Sequence, residues 1–150
     1  MTCGAYSELF FFGEKDHFLI PGQKKFDKDR IVDLLTEKRI ALFDAATSIV
    51  RMKNNASDKF LEIVEKTDIG QLLDVMPDCC AVASTGQKSS ECICSLFDIK
   101  PPKIGEYSLF RHNGRELRFY RMPSSSRAYP KPLPEKAEIY IKLFTETGII

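Results

Sequence analysis

The residues with most chemistry to offer lie in one stretch, Met122-Pro-Ser-Ser-Ser-Arg-Ala-Tyr129, directly after a segment that alternates polar and apolar side chains. Three consecutive hydroxyls, Ser124, Ser125 and Ser126, and the guanidinium of Arg127 make a donor-rich loop suited to an anionic ligand. Between Arg111 and Lys136 the chain places Arg111, Arg115, Arg118, Arg121, Arg127, Lys131 and Lys136 against Glu116 and Glu135. That segment carries +5 and the remainder −4, within a net charge of +1. Such a concentration reads in two ways: a phosphate-facing surface, or a solvated hairpin with arginines on its outer face.

A second cluster is Thr85-Gly-Gln-Lys-Ser89. It contains Gly-x-Lys-Ser but has neither the upstream glycine nor the adjacent Gly-Lys of a phosphate loop, so nucleotide hydrolysis is set aside. A turn from strand to helix still presents backbone N–H groups to an anion such as a DNA phosphate, and Gly86 and Lys88 are the residues concerned. An ordinary strand-to-helix turn explains it equally well. Cys92 and Cys94, with Cys79 and Cys80, are poor candidates for zinc, because residues two apart on a helix diverge by about 200°. His17 and His112 lack ligand spacing, so no metal is expected and the thiols read as buried side chains. A serine hydrolase would need a Gly-x-Ser-x-Gly elbow and a histidine on a loop after a strand; neither is present. Phe10-Phe-Phe12 and Phe18 are core or lid aromatics, or faces on which a base could stack.

These residues need a scaffold, and the periodicity supplies one. Asp27–Lys38 reads as an amphipathic helix with Ile31, Leu34 and Leu35 on one face and Asp27 or Asp29 available as its cap. Arg39-Ile-Ala-Leu-Phe-Asp44 suits a short buried parallel strand. A polar connection runs to Asn55, and Ser57 is a candidate N-cap for the segment through Leu61. Asp68–Met76 is a second helix, capped by Asp68 and stopped by Pro77. Cys79–Ser84 reads as a buried strand, Thr85-Gly86 as a tight turn and Gln87–Phe97 as a helix. Glu106–Arg111 and Arg115–Arg121 alternate around His112-Asn-Gly114, a hairpin signal. Pro134–Thr147 is a final helix closed by Gly148. The order predicts an α/β protein, a three-layer α/β/α sandwich with a mainly parallel sheet.

At 150 residues, with 43% hydrophobic and 29% charged residues, the chain has the size and composition of a single soluble domain, residues 1–150. No stretch approaches the roughly 18 apolar residues of a membrane span. Leu9–Phe12 has no basic region ahead of it, so a signal peptide is not expected. An odd, clustered set of 5 cysteines suits reduced thiols in a cytoplasmic protein.

Three segments together resemble the uracil-DNA glycosylase superfamily, in its mismatch-type and hypoxanthine-type branch. Ile40-Ala-Leu-Phe-Asp-Ala-Ala-Thr-Ser-Ile-Val-Arg51 looks like the strand that ends in a base-reading residue. Cys80-Ala-Val-Ala-Ser-Thr-Gly-Gln-Lys88 is similar to the next strand and its glycine turn. Phe119-Tyr-Arg-Met-Pro-Ser-Ser-Ser-Arg127 resembles the strand and Pro-Ser loop that wedges into the DNA groove. The resemblance spans roughly residues 27 to 147.

It implies an enzyme of base-excision repair that flips a damaged or mismatched base out of double-stranded DNA and hydrolyses its N-glycosidic bond, without metal or cofactor. Phe43 and Asp44 would line the base pocket. Met122, Pro123, Ser124, Ser125, Ser126 and Arg127 would form the DNA-binding loop, and Gly86, Lys88 and Arg121 would meet the backbone. Arg127 would supply charge or fill the gap left by the base.

Asp44 stands where uracil-reading members have asparagine. An ionised aspartate only accepts hydrogen bonds, so uracil itself is not assigned as the substrate. Met122 stands where the most active members have a histidine that stabilises the departing base. Residues 1 to 26 contain no strand followed by a Gly-x-Pro-type loop, the part that activates water in the family. The chain is therefore expected to be N-terminally shortened, or to fill that slot with Glu8–Phe12, and to have reduced or lost activity. The alternative is a non-catalytic α/β DNA-binding or scaffold protein that keeps the fold.

Overall fold

The computed structural model describes residues 17–23, 25–51, 61–126 and 129–150. Its elements in chain order are α1 (Lys28–Glu37), β1 (Ala46–Arg51), β2 (Leu61–Lys66), α2 (Ile69–Asp74), β3 (Ala81–Thr85), α3 (Gln87–Phe97), β4 (Tyr107–His112), β5 (Arg115–Met122) and α4 (Leu133–Glu146). One compact unit is Phe43–Met122; the other is formed from the chain on either side, up to Leu42 and from Pro123 onward.

In the Phe43–Met122 unit, Asn113 and Gly114 take φ of 49° and 78°. Two successive positive φ values match the turn that joins tightly twisted antiparallel strands. They set the β4–β5 register from His112 opposite Arg115 to Tyr107 opposite Tyr120. β3 adds in parallel on the other side of β5, giving the order β3–β5–β4. The sheet is thus mixed, with one parallel and one antiparallel pairing, and the expectation of a mainly parallel sheet is corrected. The reason is local: the Asn-Gly turn joins β4 and β5 directly, and a turn that tight permits only an antiparallel pair.

In this sheet central β5 has the most buried side chains. Leu117 and Phe119 on one face, and Tyr120 and Met122 on the other, are at most 1% exposed. Leu117 and Phe119 join Leu73, Ile93, Cys94 and Phe110 in the core, with Ile69, Val82 and Phe97 packed against it. Burying each such large side chain contributes about 1.5–3 kcal/mol. Among the described residues β3 pairs with β5 alone, so its other edge has no ladder partner there.

β1 and β2 form a separate antiparallel pair, with Ile49 opposite Ile63 and bulges around Ser48. This overturns two expectations. The strand expected at Arg39–Asp44 is irregular, and its Leu42 and Phe43 are 53% and 65% exposed. An apolar run becomes a strand only when a neighbour takes up its backbone groups. Among the described residues no strand pairs with 40–44, whereas Ala46–Arg51 pairs with Leu61–Lys66. The polar connection expected after Asp44 is therefore a strand over 46–51. The segment expected to run from an N-cap at Ser57 to Leu61 lies, apart from Leu61, outside the described residues.

In the second unit, Asp27 caps α1 by accepting from the N–H groups of Asp29 and Arg30 at 3.1 and 3.2 Å. Leu34 and Phe18 are buried. α4 has Pro134 in its first turn, buries Ala137, Tyr140 and Leu143, and is followed by Gly148 at φ 72°. Among the described residues no helix is long and apolar enough to cross a membrane.

Candidate functional site

Parallel pairing brings the carboxyl ends of β3 and β5 to one edge, with Ser84 beside Arg121 and Thr85 beside Met122. In α/β sheets this is the edge at which ligands gather. Gly86 then leaves β3 with φ 93° and ψ 172° and starts α3, a backbone region essentially reserved for glycine. Its N–H donates to the Met122 carbonyl at 3.3 Å. The two segments that carry the resemblance most clearly, the glycine turn and the strand before the Pro-Ser loop, therefore touch at the backbone.

Below that edge is a cleft of about 210 Å³ lined by Gln87, Ser90, Glu91, Pro101 and Arg121. Arg121 donates to the Pro102 carbonyl at 3.3 Å, which holds its guanidinium at the cleft. Ser90 donates to the Gly86 carbonyl at 2.7 Å. A hydroxyl has one proton, so in the buried 2.7 Å Ser84–Ser90 contact Ser84 is the donor. This hydroxyl pair fixes the glycine turn from inside. Sequence reasoning missed Ser84, Gln87, Ser90, Glu91 and Pro101; two serines six apart carry no local sign that they meet. Lys88, expected at the backbone site, is half exposed and forms an i,i+3 ion pair with Glu91 at 3.7 Å.

The basic hairpin divides its labour. Arg115 donates to the carbonyls of Leu73, Met76 and Pro77 at 2.6, 3.1 and 2.6 Å. It caps the carboxyl end of α2, where a cation is favoured, and so serves the fold. Arg118 lies 5.6 Å from the Tyr107 ring centroid. His112 and Asn113 both meet the Asp74 carboxylate at 2.7 Å.

Phe43 and Asp44, expected in the base pocket, are exposed and line no part of this cleft. The Asp44 carbonyl accepts the Thr67 hydroxyl. Met122 is 1% exposed, so its side chain belongs to the core rather than to a ligand-facing loop.

In the other unit the Pro-Ser loop is tied to α4. Tyr140 donates to the buried Pro123's carbonyl at 3.0 Å, and Lys136 donates through Nζ to the Ser126 carbonyl at 3.0 Å. Ser124 Oγ accepts the Ser126 N–H at 3.2 Å, and Tyr129 N–H returns to the Ser126 carbonyl at 3.2 Å. Ser124 and Ser125 are partly exposed and Ser126 is exposed. Arg127 lies outside the described residues.

Cys92 and Cys94 are buried. Burial pushes the Cys79 and Cys94 thiols above their ordinary range, against smaller lowering effects of a backbone hydrogen bond with Ala81 and of Arg115 on Cys79, and of Arg121 on Cys94, and a protonated thiol is a poor nucleophile. Among the described residues no three His, Cys, Asp or Glu side chains are arranged to hold a metal ion.

No family model matches the chain, and no solved structure matches it. The 2,3-bisphosphoglycerate-independent phosphoglycerate mutase of Mycoplasma mycoides is 28% identical to it over 115 residues, which are 73% of this chain and 21% of the mutase. The chain thus spans about a fifth of that relative's length.

Proposed function

We propose that this chain is a DNA-glycosylase-like domain that binds duplex DNA carrying a damaged or mismatched base. The observation that carries the reading is the backbone contact between Gly86 and Met122 at the shared carboxyl edge of β3 and β5. It joins two segments that the resemblance implies act together on a DNA backbone. The cationic Arg121 lines the adjoining cleft, and the α3 amino terminus supplies N–H donors to phosphate. Burial of both faces of β5 supports a three-layer α/β/α arrangement.

Hydrolysis of the N-glycosidic bond needs a group that activates water. The described residues up to Phe26 form turns and a Leu19–Phe26 bridge; Glu8–Phe12 lies outside the described residues, and Met122 replaces the family's assisting histidine with a buried thioether. The chain is accordingly proposed to recognise the lesion and to cleave slowly or not at all. Duplexes carrying uracil, hypoxanthine or a G·T mismatch test this through binding and single-turnover base release. Tighter binding to one of these than to an undamaged duplex, with slow release, is expected. Equal and weak binding to all four would leave the scaffold alternative. The mutase similarity motivates a second reading, a domain that holds a small phosphorylated acid. Saturable binding of phosphoglycerate with no DNA affinity would select it.

A further inference from the structure

Lys136 occupies a position that two separate effects disfavour. It is the fourth residue of α4, in the turn where the helix dipole repels cations. It is also only 2% exposed, and burying an ammonium costs heavily unless donors are matched by acceptors. Helix formation and core packing would both be served better by an uncharged residue. Two partners that offset the cost belong to the loop: the Ser126 carbonyl at 3.0 Å and the face of Tyr129, whose ring centroid lies 5.1 Å from Nζ.

One helical turn on, Tyr140 holds the Pro123 carbonyl from the same face of α4. The two side chains therefore grip the loop at residues 123 and 126, on either side of Ser124 and Ser125. A trans peptide sets C=O and N–H on opposite sides. Drawing the Pro123 carbonyl toward α4 thus turns the Ser124 N–H away from that helix.

We infer that Lys136 is a positioning residue: its buried ammonium, with Tyr140, fixes the Pro-Ser loop so that the loop's donors meet a phosphodiester. This rests on the DNA-binding reading above. Lys136 touches no phosphate itself, and this separates it from a surface cation such as Arg121.

The test compares K136M, which keeps the stem and volume, with K136R, which keeps the charge, and with Y140F. Amide hydrogen exchange of Ser126 and Tyr129 is measured without DNA, with Phe119 and Tyr120 as internal references. K136M should speed exchange at the two loop amides by about tenfold, as expected for loss of a charge-assisted hydrogen bond, and leave the references unchanged. K136R should stay within about threefold of the parent, since its donors can still reach the carbonyl. Duplex affinity of K136M should fall about tenfold with an unchanged slope of log K against log salt, whereas R121A should lower that slope by about 0.9.

Loop exchange unaltered in K136M and Y140F overturns the inference, and so does a reduced salt slope in K136M, which would mean direct phosphate contact. Should K136M fail to fold, K136R and Y140F decide by the same exchange readout. A parent protein that binds no duplex defeats the DNA reading, and with it the phosphodiester-facing role, whatever the exchange results show. A parent that binds, with K136M binding equally well, defeats the inference alone.

Discussion

At the residue scale, the arginines of the hairpin do different jobs despite equal charge. Arg115 spends its guanidinium on three carbonyls at the end of α2, while Arg121 lines a cleft near the carboxyl ends of β3 and β5. Replacing Arg115 by alanine leaves three carbonyls short of a donor, two of them in partly buried bonds, and a hydrogen bond from a charged group is worth about 1.5–3 kcal/mol. R115A should lower stability in urea by roughly 2–3 kcal/mol and leave the salt slope of DNA binding unchanged. A change in slope with no loss of stability would return Arg115 to the phosphate-facing surface. Nothing in the spacing of Arg115, Arg118 and Arg121 tells these roles apart, because the carbonyls that claim Arg115 lie some forty positions earlier in the chain.

At the scale of elements, what local chemistry dictates was legible and what distant pairing dictates was not. The α3 span, the Asp27 and Asp68 caps, the Asn-Gly hairpin and the glycine after α4 all come from preferences of a few adjacent residues. The failure at Arg39–Asp44 is of another kind. An apolar run has the composition of a strand wherever it lies, but ladder bonds come from elsewhere, and the bonding in this region begins at Ala46. Legibility of the candidate site divides the same way: Gly86 and the Pro-Ser loop are local signals, whereas Ser84–Ser90 and Lys136–Ser126 are contacts across the fold. Gly86 gives the sharpest element-scale prediction. Its φ of 93° with ψ of 172° suits only glycine, so G86A should cost about 1–3 kcal/mol of backbone strain. It should also tilt the start of α3 and weaken duplex binding beyond what the stability loss explains. An alanine variant with parental melting temperature and affinity would show that the turn has no such demand.

At the scale of the whole molecule, charge distribution is the property that decides between partners. A net charge of +1 gives no general attraction to DNA, so binding must come from the +5 segment between Arg111 and Lys136 acting locally. Within it Arg115 and Lys136 are engaged in holding structure, and Lys131 pairs with Glu135 at 3.0 Å. The number of phosphates contacted should therefore be small, and the affinity correspondingly modest. The most direct measurement is the affinity of the chain and of R121A for a mismatch-bearing duplex across a series of salt concentrations. The account predicts a linear fall of log K with log salt, and a slope lowered by about 0.9 in R121A. A salt-independent affinity, or a slope that R121A leaves unaltered, would contradict it.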